Sequence, residues 1–160
     1  MKNLRFTLVG LEIVIMAITA LNLSGLMDPQ AHHDFIAPDP ADPALVNLGQ
    51  VIYADHCATC HGEKGEGEKD WHTRRADGTL PAPPHDATGH TWHHRDVLLL
   101  QIIAEGGQAF LPEGGVSNMP AFKEKISDRE MSAVLAFIKS RWPVQILDRQ
   151  QKLSAQPHKH

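Results

Sequence analysis

The apolar positions of this chain fall into four groups with different spacings. From Phe6 to Met27 they run almost unbroken, with Glu12 the one charge inside the run. From Leu45 onward they recur at helical steps. Leu45, Leu48, Ile52 and His56 stand three or four apart, Val51 widens the face, and Gly49 shares a face with Tyr53. Val97, Leu98, Leu99, Leu100, Ile102 and Ile103 predict a short helix that is apolar on nearly all sides and therefore buried. Met131, Val134, Leu135, Phe137, Ile138 and Trp142 mark one side of a last helix.

The ends of these segments carry their own signals. Pro43 suits a first helical turn. Thr91 or Asp96 is placed to cap the third segment, and Gly106-Gly107 ends it. Ser127-Asp128-Arg129-Glu130 reads as a capping box, and Pro143 stops the last helix. Val144 to Leu147 allows one more turn, while Gln150 to His160 is polar and reads as a frayed terminus. The stretch from Gly62 to Gly89 has no period. Gly62, Gly65 and Gly67 among charges predict a mobile surface loop, and the run Pro81-Ala82-Pro83-Pro84 follows.

Residues 1–27 predict a single membrane-crossing helix. The run reaches the roughly 20 apolar residues that a bilayer needs. A small-x-small cleavage site is missing around Ala17 to Ala20 and around Ser24, so an uncleaved anchor is favoured over a signal peptide. Lys2 and Arg5 keep the N-terminus cytoplasmic, so the rest of the chain is exported. Residues 28–43 hold Pro29, Pro38, Pro40 and Pro43 with Asp28, Asp34, Asp39 and Asp42, the composition of a stiff polar spacer. His32 and His33 lie there as solvated side chains. Residues 44–143 then make one domain, and 144–160 a C-terminal extension. The whole chain is formally −4, and without residues 1–27 it is −5. Nucleic-acid binding, which needs a basic patch, is thereby disfavoured.

The candidate chemistry lies in Cys57-Ala58-Thr59-Cys60-His61-Gly62. Cys-x-x-Cys-His is the attachment signature of c-type haem. Two thiols three positions apart on a helical turn can form thioethers to the two vinyl groups of one porphyrin, and the next residue presents an imidazole to the iron. Zinc would need two further ligands from elsewhere, since these are the chain's only cysteines. A redox dithiol would need a βαβ setting, which the pattern lacks.

On these residues the segment from about Leu45 to Trp142 resembles a class I c-type cytochrome domain, a monohaem cytochrome c. The resemblance implies an all-α fold of few helices around one covalent haem c, with the Gly49/Tyr53 helix crossing the last helix near Phe137 or Ile138. It implies Cys57 and Cys60 as thioether residues and His61 as the proximal iron ligand. It also implies that a prolyl carbonyl, from Pro81, Pro83 or Pro84, accepts the Nδ1–H of His61. Asn118-Met119-Pro120 resembles the family's distal loop and makes Met119 the second axial ligand, 58 positions after His61. His93 and His94 are the runners-up for that position.

Met/His ligation is the pattern of electron-carrying haems and raises the reduction potential. With both axial positions filled, the expected role is one-electron transfer between redox proteins, either freestanding or within a respiratory, photosynthetic or dehydrogenase membrane complex. No substrate and no catalytic residue are implied. The expected location is a bacterial inner membrane, crossed once, with the haem domain facing the periplasm.

His85, His90, His93 and His94, with Trp92 among them, fit this family pattern least. His90 and His94 would share a helix face, a spacing that suits zinc or copper. The alternative is packing near a haem edge, with Trp92 and Arg95 as donors to the propionates. Two other functions therefore stay open: a haem enzyme or sensor with a labile distal ligand, and a metal-binding module built on these histidines.

Overall fold

In the computed structural model, residues 33–156 are described. The expected anchor, residues 1–27, and the first part of the linker lie outside them, as do residues 157–160. Among the described residues no helix is long and apolar enough to cross a membrane.

Among the described residues five α-helices form: α1 Pro43–His56, α2 Ala58–His61, α3 Asp96–Glu105, α4 Asp128–Ser140 and α5 Val144–Ser154. Two 3₁₀ turns, Thr91–His93 and Gly107–Phe110, flank α3. The only β pairing among the described residues is an isolated parallel bridge between Thr79 and Val116.

Helix α1 starts where Asp42, with extended backbone, accepts hydrogen bonds from the N–H groups of Ala44 and Leu45 at 2.9 and 3.2 Å. Pro43 follows at the first helical position, where its missing N–H costs nothing. The buried stripe of α1 is Leu45, Gly49 and Tyr53, one residue per turn. Val51 is 59% exposed, so it points away from this stripe instead of widening it.

Helix α4 is the centre of the fold. Every residue from Met131 to Lys139 is buried. Its capping box forms as the sequence indicates: the Glu130 N–H donates to Ser127 Oγ, and the Ser127 N–H donates to the Glu130 carboxylate at 2.7 Å. Helices α1 and α4 cross at Gly49. A Cβ added there would lie 1.9 Å from the Ala133 carbonyl oxygen and 2.9 Å from Phe137 Cβ. Glycine therefore sets the closeness of the crossing, and Tyr53 packs against Phe137 beside it, with ring centroids 5.3 Å apart.

Two features of the chain ends depart from the sequence reading. Phe35 packs against the core and Pro38 is buried, so this part of the polar spacer lies on the domain. At the other end, α5 continues well past the single expected turn. Gln150 is fully buried, its amide nitrogen within 3.1 Å of the His94 carbonyl, Asp96 Oδ1 and Ser154 Oγ. The polar tail is docked through this amide nitrogen, while the Gln150 amide oxygen is buried without a hydrogen-bond partner.

Asp96 also departs from the expected capping role. It is the first residue of α3, preceded by Arg95 at the cap position. Its carboxylate ties α3 to α4 through Lys139 Nζ at 2.7 Å, and to α5 through Gln150. Lys139 is only 3% exposed, so the pair has little solvent on the cationic side.

Two substitutions test this packing. Gly49→Val should destabilise the holoprotein by about 1–3 kcal/mol through overpacking, read as a lower denaturation midpoint. Asp96→Ala should cost about 3 kcal/mol by stranding the Lys139 ammonium, and Asp96→Ala/Lys139→Met should recover much of that loss. A single variant with the parent midpoint would contradict the corresponding contact.

Candidate haem site

The cysteine motif lies on the shortest helix, directly after α1. The backbone turns at Cys57, whose N–H still bonds back to the Tyr53 carbonyl at 2.9 Å. Helix α2 then carries Cys60 and His61, and Gly62 leaves it with φ near 81°. Tyr53 helps close this corner by donating its hydroxyl hydrogen to the Gly62 carbonyl at 3.0 Å. Both cysteines are free of a disulfide, with Cys60 exposed and Cys57 half-buried. Burial, with the neighbouring Cys60, pushes the Cys57 thiol up to about 11. A redox dithiol needs the opposite, a depressed thiol.

His61 is buried, and its Nδ1 lies 2.8 Å from the Pro83 carbonyl oxygen. A carbonyl only accepts, so Nδ1 carries the proton and Nε2 keeps a lone pair. Of the three candidate prolines, the geometry selects Pro83. Burial lowers the imidazole pKa, and the Pro83 bond opposes this only in part. The ring is therefore neutral at neutral pH, the form that can bind a metal.

The loop that presents Pro83 is built, not loose. Pro83 sits among contacts made by the glycine segment that the sequence suggests is mobile. The Gly67 N–H donates to the His61 carbonyl at 2.7 Å, and the His85 N–H donates to the Gly65 carbonyl at 2.7 Å. Gly67 has φ near 67°, and a Cβ there would lie 2.5 Å from Pro84 N. Only glycine lets the two strands of this loop approach so closely. Glu68 closes the clamp. Its carboxylate accepts the Ala82 N–H at 2.6 Å and pairs with Arg75 at 2.7 Å.

Met119 belongs to a second loop, held against the end of α3. The Met119 carbonyl accepts the Gly107 N–H at 3.1 Å, and the Phe122 N–H reaches the carbonyls of Ile103 and Ala104, each at 3.1 Å. Gln108 spans the loop, donating to the Gly115 carbonyl and accepting from the Ser117 N–H. Met119 is half-buried and packs on the core formed by Leu99, Leu100, Ala104, Phe122 and their neighbours. Cys57 packs on the adjoining core of Tyr53, Val134, Phe137, Ile138 and Trp142. Ile52 and Ile103 touch both cores and are themselves half-buried. An apolar shelf thus joins the Met119 side to the Cys57 side. The Thr79–Val116 bridge joins the loop leading to Pro83 with the loop leading to Met119.

These residues fit a covalent haem. The donor set is one imidazole with a free Nε2 and one thioether, the free thiols sit on one helical turn, and the walls between are apolar.

The other histidines are arranged differently. His85 lies face to face with His61, with ring centroids 3.9 Å apart. No periodicity or spacing signalled that contact. His90 stacks on His93 at 5.0 Å and meets His94 edge-on at 4.7 Å. They lie on a 3₁₀ turn rather than an α-helix, so the assumed i, i+4 face does not form. Among the described residues no group of three or more His, Cys, Asp or Glu is arranged to hold a metal ion. The Trp92 indole N–H donates to the Ala87 carbonyl at 3.3 Å, and Arg95 Nη2 donates to the Gln156 carbonyl. At least one donor of each expected propionate neighbour is therefore directed at the protein.

The Glu68 clamp has a pH signature. Hydrogen bonding from Ala82 and then from Arg75 holds its carboxyl below the usual range. A depressed folded-state pKa contributes stability above the unfolded value, and that stability is lost as pH falls through the folded value. Glu68→Gln should therefore lower Tm modestly at neutral pH and flatten its acid-side decline. Parallel Tm–pH curves for parent and variant would contradict the clamp.

The family model described as cytochrome c matches residues 46–142. A cbb3-type cytochrome c oxidase subunit FixPc of Rhizobium leguminosarum bv. viciae is 27% identical over 104 residues, 63% of this chain and 29% of that protein. The subunit FixP of Azorhizobium caulinodans is 30% identical over 103 residues, 62% of this chain and 31% of that protein. The chain thus spans about a third of the length of these relatives. Cytochrome cL of the marine methylotroph Methylophaga aminisulfidivorans superposes with a TM-score of 0.47 and 20% identity, covering 76% of this chain and 72% of that one. With the matched segment taking up more than half of its length, the chain belongs to the cytochrome c family, as an electron carrier with covalently bound haem c.

Proposed function

We propose that this protein is a membrane-tethered monohaem cytochrome that passes single electrons between redox partners on the outer side of a bacterial membrane. Cys57 and Cys60 hold the porphyrin through thioethers, and His61 and Met119 are the axial ligands. The observation that carries this reading is the bond from His61 Nδ1–H to the Pro83 carbonyl. It fixes the tautomer, leaves Nε2 with its lone pair free, and makes the imidazole a stronger donor.

The bound haem supplies reversible one-electron chemistry. The chain's own residues keep the geometry constant through that change. The Gly65, Gly67 and Glu68 contacts hold the Pro83 carbonyl in place. The Gly107 and Gln108 contacts hold the Met119 loop. Ile52 and Ile103 pack against both cores and supply apolar surface between the two loops' sides.

The apolar run from Phe6 to Met27 supports a single-pass anchor, with residues 28–43 as the connection to the haem domain and 144–160 as a C-terminal extension. Likeness to FixP subunits supports a place in, or beside, a terminal oxidase complex as its electron-supplying part.

Optical spectra of the purified holoprotein test the reading. The ferric parent should show the weak far-red band of an iron–thioether bond, and the ferrous parent should not bind carbon monoxide. Met119→Ala should keep covalent haem, lose that band, gain carbon monoxide binding and have a lower reduction potential. Cys57→Ser/Cys60→Ser should lose haem staining on a denaturing gel. A parent that readily binds carbon monoxide would instead indicate a sensor or an enzyme with an open distal side.

A further inference from the structure

His85 is held at three of its polar groups. Its N–H donates to the Gly65 carbonyl at 2.7 Å, and its carbonyl accepts the Trp142 indole N–H at 2.7 Å. Its Nδ1 lies 2.8 Å from Thr91 Oγ1. Thr91 is buried and its hydroxyl faces the Pro84 carbonyl at 3.5 Å, an atom that can only accept. His85 Nδ1 and the Thr91 hydroxyl thus share the short hydrogen bond, which fixes one edge of the ring. These anchors come from three separate places: the glycine loop, the 3₁₀ turn and the end of α4. Together they leave the residue little freedom to move or rotate.

The face of this pinned ring lies on His61, with centroids 3.9 Å apart and planes 23° apart. Tyr53 meets His85 edge-on at 6.2 Å and itself packs on Phe137, which ties the pair to the α1–α4 crossing. The Pro83 bond fixes where His61 Nδ1 points, but a single hydrogen bond permits a rocking motion of the ring about that line. A flat ring laid on its face restrains that motion.

We propose that His85 is a positioning residue that fixes the plane of the His61 imidazole by stacking on it. The proposal rests on the axial role given to His61 above. Imidazole orientation sets how ligand electrons mix with the iron orbitals, so His85 sets the magnetic anisotropy and contributes to the reduction potential of the holoprotein. The same work is not done by bulk alone, because an aliphatic side chain fills the space without defining a plane.

The test uses ferric holoprotein and proton NMR of the four haem methyl groups, whose order and spread report the ligand plane. His85→Leu should retain covalent haem and the iron–thioether band, change the order or spread of the methyl shifts, and shift the reduction potential. His85→Phe, which keeps a flat ring, should retain the parent order. Thr91→Val, which removes only the Nδ1 partner, should change the pattern in the same sense but less. Parent-like methyl shifts in His85→Leu would overturn the proposal. If that variant does not assemble, parent-like shifts in Thr91→Val would do so. Failure of the axial reading has its own signature: His61→Gly would stay low-spin with the parent pattern, whatever the His85 variants show.

Discussion

The hydrogen bond between His61 Nδ1 and the Pro83 carbonyl is the constraint on which the rest of this site depends. A buried imidazole needs a partner for its N–H, and the partner decides which nitrogen stays free. Proline suits the task because its carbonyl is not drawn into a ladder through its own N–H. The cost is that a long irregular segment must place one carbonyl accurately. Three devices meet it: the close approach at Gly67, the Gly65 contact to His85, and the Glu68 carboxylate that fastens Ala82 and Arg75. The segment between Gly62 and Gly89 is irregular in conformation and specific in its bonding.

The helices were legible in the sequence for ordinary reasons. The capping box at Ser127 and Glu130 is a local signal with a local answer. Gly49 and Tyr53 share a face by period alone, and their role at the crossing follows from the absence of a side chain at one and its bulk at the other. The haem motif was legible because two thiols and an imidazole at this spacing serve few other purposes. What stayed hidden depends on distant partners. Nothing near Gln150 shows that its amide will find His94, Asp96 and Ser154, so a docked helix reads as a loose tail. Nothing near His85 shows that its ring will lie on His61, because the two are 24 positions apart in a stretch without period. The choice of Pro83 over Pro81 and Pro84 is likewise a matter of a loop closing in three dimensions.

The histidine-rich turn finds its place in the same way. As a sequence it suggests a metal site. In the fold two of its members have structural tasks: His85 faces His61, while the carbonyl of His94 receives the buried Gln150. The C-terminal extension is thereby coupled to the proximal side. Helix α5 holds the turn after Gly89, that turn holds Thr91, and Thr91 holds His85. Changes in α5 can therefore reach His85, and through it His61, by a chain of contacts.

The central claim is that the chain presents a neutral His61 and a loop-held Met119 to one iron. Proton NMR of the reduced, diamagnetic holoprotein tests it most directly. The expected spectrum contains a three-proton methyl singlet shifted far upfield by the porphyrin ring current, absent in Met119→Ala, together with a slowly exchanging ring N–H from His61. A reduced parent spectrum without the upfield methyl, or with the His61 ring N–H exchanging freely with solvent, would contradict the account.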